Sequence, residues 1–151
     1  MIALKNILVP ADFSETSAVA LKYAKEFAGA FNASIHLLHI MVEWLPEGYV
    51  PFTPELFRDI EDATKKQLDI LLTSEEQEKY KAKLVIQRGS SEFVEIVQYA
   101  REHDIDLIIL GTHGRGPVSH MLLGSVAEKV VRKAPCPVLT VRHPEHEFVM
   151  P

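Results

Sequence analysis

Along this chain, short β-branched runs alternate with longer stretches of helical period, and that alternation restricts the fold more than any other feature. Each run able to become a strand is followed by enough chain for a crossover helix, the signature of β-α-β units around a mostly parallel sheet. Five runs read as strands: Asn6 to Pro10, Ser34 to Val42, Lys83 to Arg88, Ile105 to Gly111, and Pro137 to Arg142. Most are near-continuously apolar rather than alternating, as expected when helices cover both faces of a sheet. The expected class is therefore α/β, a three-layer sandwich.

The stretches between them carry helix signals. Ser14 is placed to cap a first helix that buries Ala20, Ala24, Phe27 and Phe31 and ends at Asn32. Pro54 suits the first turn of a second helix, with Leu56, Ile60, Thr64, Leu68 and Leu71 on one stripe while Asp59, Glu61, Lys65 and Lys66 stay wet. A third helix runs from about Ser91 to His103 and presents Phe93, Ile96, Val97 and Ala100 to the core. The fourth is introduced by Gly124 and Ser125, carries Val126, Val130 and Ala134, and stops before Pro135. Two segments read as irregular, Glu43 to Thr53 and Gly111 to Gly124, and the tail after Arg142 is expected to be loosely ordered.

Composition narrows the class. With 151 residues, 47% of them hydrophobic, the chain suits a single domain, residues 1–151, and is too apolar for disorder. Its apolar runs are far shorter than the roughly 20 residues that span a bilayer. Met1 to Pro10 lacks a signal-peptide layout, so a cytoplasmic location is expected. One cysteine, Cys136, can form neither an internal disulfide nor a Cys-based zinc site. A net charge of −5 gives no general attraction to nucleic acid or anionic lipid, yet leaves room for a local anion site.

Such a site is offered by the run from Gly111 to Glu128. A loop at the carboxyl end of a parallel strand, leading into a helix N-terminus, is where open α/β sheets bind ligands. Its glycines let backbone N–H groups approach a phosphate, the helix terminus favours negative charge, and Ser125 adds a hydroxyl. At about 1.5 to 3 kcal/mol for each charge-assisted bond, a few suffice for a micromolar site of about −8 kcal/mol after ordering costs. A P-loop is excluded by Pro117, which stands where the lysine would be. A dinucleotide fingerprint lacks its third glycine, since Ser119 occupies that place, and would follow the first strand rather than the fourth.

Gly111, Gly114 and the pair Gly124-Ser125 reproduce the Gly-x2-Gly-x9-Gly-Ser/Thr pattern of the ATP-binding branch of the universal stress proteins, which this chain resembles over nearly its whole length. The opening Ile7 to Ser14, the strand end Leu37 to Ile40 and the close Lys133 to Val141 are similar to that family in order and spacing. The resemblance implies a five-stranded parallel sheet of order 3-2-1-4-5, Rossmann-like and adenine nucleotide alpha hydrolase-like, and a homodimer paired through the last strand. It implies an adenine nucleotide, ATP or AMP, across the carboxyl edge, with Mg2+ as the cation that would accompany the phosphates. Pro10 and Asp12 would border the adenosine, and Ile40 would meet the adenine through its backbone. Gly111, Thr112, His113, Gly114, Arg115, Gly116 and Pro117 would wrap the ribose and phosphates. Ser125 and Val126 would donate from the helix start beside Gly124.

Local readings stand beside these. Ser125 and Glu128 have capping-box spacing; with phosphates present, Glu128 would have to swing away or meet a cation. Asp12 also suits a turn or a helix cap, and Arg115 a solvated position. His113 and His120 lack a supporting carboxylate and receive no catalytic role, and no residue is assigned as a metal ligand. His36 and His39, three apart on a strand, should face opposite ways. Cys136 reads as a small buried residue rather than a nucleophile. The aromatic-rich segment Trp44 to Phe57 suits either a lid or partner surface, or a satellite core under the second helix. Three functional classes follow: a nucleotide-binding regulatory module whose occupancy is read by an unidentified protein partner, a slow ATP hydrolase, and a stress-related interaction protein in which the site is vestigial. The intact glycine pattern favours the first.

Overall fold

The structure is a computed structural model that describes residues 1–43, 53–113, 123–144 and 146–149. In chain order its elements are β1 (Asn6–Pro10), α1 (Glu15–Phe31), β2 (Ser34–Val42), α2 (Pro54–Leu71), α3 (Ser74–Lys79), β3 (Lys83–Gly89), α4 (Glu92–Glu102), β4 (Leu107–Gly111), α5 (Ser125–Lys133) and β5 (Val138–Val141). The strands form one five-stranded sheet, all pairs parallel, in the order β3-β2-β1-β4-β5. Fold class and strand order are as the sequence implied.

Alternation along the strands divides the core. Ile7, Val9, Ile35, Leu37 and Ile109 point to one face, where Ala20, Leu21 and Ala24 of α1 and Leu68 of α2 cover them. Leu8, Leu38, Ile40, Ile108 and Leu110 point to the other face, against Ile96, Tyr99 and Ala100 of α4 and Ala127 and Val130 of α5. The polarity of the two histidines follows the same rule. His36 lies against Tyr99 of α4, whereas His39 faces Phe13 on the α1 side.

Several local expectations need correction. Phe31, expected in the core, is 39% exposed as the last residue of α1, and Leu56 is 43% exposed in the first turn of α2. The short helix α3 was not anticipated, although Thr73 and Glu76 form a capping box and Glu76 reaches Lys25 of α1 at 2.8 Å. The described part of the tail is docked rather than loose. Glu147 pairs with Lys22 at 3.1 Å, Phe148 meets the Tyr23 ring edge-on at 4.7 Å, and Val149 is buried in the α1-side core. Of the aromatic segment, Phe57 lies under the Arg88 guanidinium at 4.3 Å, and Trp44 to Phe52 lie outside the described residues.

Candidate functional site

The strand order reverses between β1 and β4, and the helices that follow them, α1 and α5, cover opposite faces, so the connections leaving the two carboxyl ends part there, the usual ligand position in open α/β sheets. Three features border it: the turn from β1 to α1, the end of β4, and the start of α5.

The β1 to α1 turn is closely bonded. Ser14 caps α1 by accepting from the Ser17 N–H at 3.2 Å. Asp12 Oδ1 accepts from the Ser14 N–H at 2.9 Å and from its hydroxyl at 2.5 Å, so the turn role foreseen for Asp12 is real. Between them Phe13 adopts φ 65°, a left-handed conformation that costs a non-glycine residue on the order of 1 to 2 kcal/mol. Strain of that kind persists only where the surroundings fix it.

At the end of β4, Gly111 packs against α1, where a Cβ would lie 2.6 Å from Thr16 Cγ2. Thr112 is buried, and its N–H donates to Val141 of β5 at 2.9 Å. Its carbonyl accepts from the Gly124 N–H at 2.5 Å, a neck that brings the end of β4 to the start of α5. A Cβ on Gly124 would lie 2.7 Å from that same carbonyl oxygen. Thr112 Oγ1 and His113 Nδ1 are 3.0 Å apart. Gly114, Arg115, Gly116 and Pro117 lie outside the described residues, as does His120.

The start of α5 differs from the capping box expected of it. Gly124, not Ser125, is the N-cap, no side chain among the described residues caps the helix, and Ser125 is its exposed first residue. Glu128 turns away to Arg132 at 2.9 Å. The N–H groups of Ser125, Val126 and Ala127 therefore have no intrahelical acceptor and carry the positive end of the helix dipole.

On the other side of this position, Pro10 ends β1 half-buried and Ile40 lies near the end of β2, buried at 6% exposure among the α4-side residues. The sequence reading overlooked Glu92, the first residue of α4. Burial, and then the charge of Asp12, push its carboxyl above the usual carboxylate range. The position of Glu92 at the carboxyl end of β3 is the signal that would have found it. No group of three or more His, Cys, Asp or Glu able to hold a metal occurs among the described residues. Cys136 is half-buried, and burial followed by the Asp106 charge raises its thiol above the ordinary range, which suits an unreactive position. Among the described residues no helix is long and apolar enough to cross a membrane.

The sequence model of the Universal stress protein family matches residues 3–142. Universal stress protein MJ0577 of Methanocaldococcus jannaschii is 32% identical over 91% of this chain and 94% of its own length. Universal stress protein YxiE of Bacillus subtilis is 34% identical over 91% of this chain and 98% of its own. Among solved structures, that of hypothetical protein MJ0577 superposes with a TM-score of 0.83 at 34% identity, covering 96% of this chain and all (100%) of the other. The universal stress protein UspA from Lactobacillus plantarum gives 0.71 at 26% identity, covering 94% and 100%.

Proposed function

The chain belongs to the universal stress protein family, and from that premise we propose that it is a regulatory adenine-nucleotide-binding protein. Its ligand, ATP or AMP, lies across the carboxyl edge of the sheet between β1 and β4. The observation that carries this reading is the neck from Thr112 to Gly124: Gly124, too crowded for a Cβ, donates to the Thr112 carbonyl beside a helix N-terminus that no side chain among the described residues caps, while Gly111 is packed as tightly against α1. Backbone donors and a helix dipole at one point bind phosphate without a side-chain cation. Asp12, Pro10 and Ile40 then border the adenosine, and the Gly111 to Pro117 stretch wraps the ribose and phosphates. Ser125 and Val126 donate to the phosphates from the helix start. Mg2+ enters as the companion of the phosphates. Two proteins of the same fold, 22% and 20% identical to this chain, are described in complex with cAMP and dAMP, so the fold accommodates adenine nucleotides.

Occupancy of the loop is read by a partner, in a cytoplasmic protein that pairs with a second copy through β5. The test is to purify the protein from cells without added nucleotide, denature it, and identify any released base and phosphates by mass, with calorimetric titration of ATP and AMP alongside. Release of an adenine nucleotide, or binding of ATP or AMP with micromolar affinity, is expected. A nucleotide-free preparation that binds neither would overturn the proposal.

A further inference from the structure

The geometry points to His39 of β2 as a positioning residue of the nucleotide site, one that acts through the peptide joining Ala11 to Asp12. His39 Nδ1 lies 2.7 Å from the Ala11 carbonyl oxygen. A carbonyl only accepts, so Nδ1 carries the proton and donates. The N–H of the same peptide unit, that of Asp12, donates to Ser17 Oγ at 3.3 Å. Both ends of one peptide plane are thus held by side chains from two elements, β2 and α1. The Ala11 N–H is in turn fixed to the Leu38 carbonyl at 2.8 Å.

Orientation of that plane decides where the Asp12 Cα–Cβ bond points, and the next residue is Phe13, with its left-handed φ of 65°. Relaxing Phe13 requires the preceding peptides to turn, which the His39 bond resists. The imidazole also lies against the Phe13 ring, 4.9 Å between centroids at 38°, so one side chain holds both the carbonyl and the strained residue. Ser14 then pins the Asp12 carboxylate through Oδ1. The effect of His39 on a ligand passes through Asp12. This inference rests on the nucleotide reading above.

The experiment uses the full chain and four variants: His39→Phe, which keeps a ring against Phe13 but loses the donor; His39→Asn, whose amide nitrogen replaces Nδ1; Asp12→Ala; and the double variant His39→Phe with Asp12→Ala. Two readouts are taken. Without ligand, hydrogen exchange of the Ser14 amide should speed up in His39→Phe and return toward the parent rate in His39→Asn. With ATP as the titrant, His39→Phe should bind about tenfold more weakly, as expected for one lost hydrogen bond, and His39→Asn should recover most of that loss. In the Asp12→Ala background, His39→Phe should cost nothing further. Parent-like exchange and affinity in His39→Phe would overturn the inference, and so would additive losses in the double variant. Failure of the parent chain itself to bind ATP or AMP would sink the nucleotide reading instead, while the Ser14 exchange rates would still decide whether His39 sets the turn.

Discussion

A methyl group on Gly124 would sit 2.7 Å from the Thr112 carbonyl oxygen, and its neighbours there are backbone atoms that cannot swing aside. Gly124→Val should therefore open the neck of the loop, lowering ATP affinity by at least about tenfold. Circular dichroism should still report a folded chain; retained affinity would mean that the neck is not part of the site. A second residue sets a pH limit. His36 is buried at 2% exposure, its Nδ1 is 2.8 Å from Tyr99 Oη, and its Nε2 has no hydrogen-bond partner among the described residues. Burial first, then the charges of Lys83 and His103, lower its pKa to about 4 from the ordinary 6.5. The folded state thus favours the neutral ring, and between those two values the unfolded chain binds more protons. Stability from this residue is complete above about pH 6.5 and falls as pH drops, with about 3 kcal/mol lost by pH 4. Urea unfolding at pH 7.5, 5.5 and 4.5 would reveal it, and the pH slope should be smaller in His36→Leu, whatever that variant's absolute stability.

At the scale of elements, the docked tail invites a similar test. Val149 is buried in the same core cluster as Tyr23, and the Glu147 to Lys22 pair is partly exposed and contributes little by itself. Val149→Asp should detach the tail at a cost of roughly 1 to 3 kcal/mol, seen as a lower thermal midpoint and faster proteolysis after Arg142. An unchanged midpoint would show that the docking adds no stability. This tail also marks where local pattern stops being informative. Strands β1 and β2 have the limits that their apolar runs suggested, because burial on both faces writes itself into every residue. Strand β4 starts two residues later than its run, since Ile105 belongs to the turn after α4 and the Asp106 carboxylate receives the N–H groups of Lys5 and Asn6. Gly111 and Gly124, singled out by spacing, are both too crowded for a Cβ. His39 and Glu92 were not legible in this way, because their neighbours come from strand register and helix placement rather than from nearby sequence. The tail follows that same rule: 125 residues separate Phe148 from the Tyr23 hydroxyl that accepts its N–H.

For the whole molecule, a net charge of −5 coexists with a proposed site whose attraction for anions would come from backbone N–H groups, which formal charge does not count. The proposed pairing of two copies along β5 follows from its place as an outer strand with Val138 and Leu139 only half-buried, since an apolar edge invites a partner strand. Sedimentation at micromolar concentration should find a dimer, and a monomer throughout that range would contradict the pairing. Thr112 gives this edge a further meaning. One residue hands its N–H to Val141 of the outer strand and its carbonyl to Gly124 at the loop neck. Fraying of the molecular edge and release of the loop are then two views of a single opening event, so the Thr112 and Gly124 amides should exchange with solvent at a common rate. A clock built into the backbone would time the departure of whatever the loop holds by the life of the outer strand.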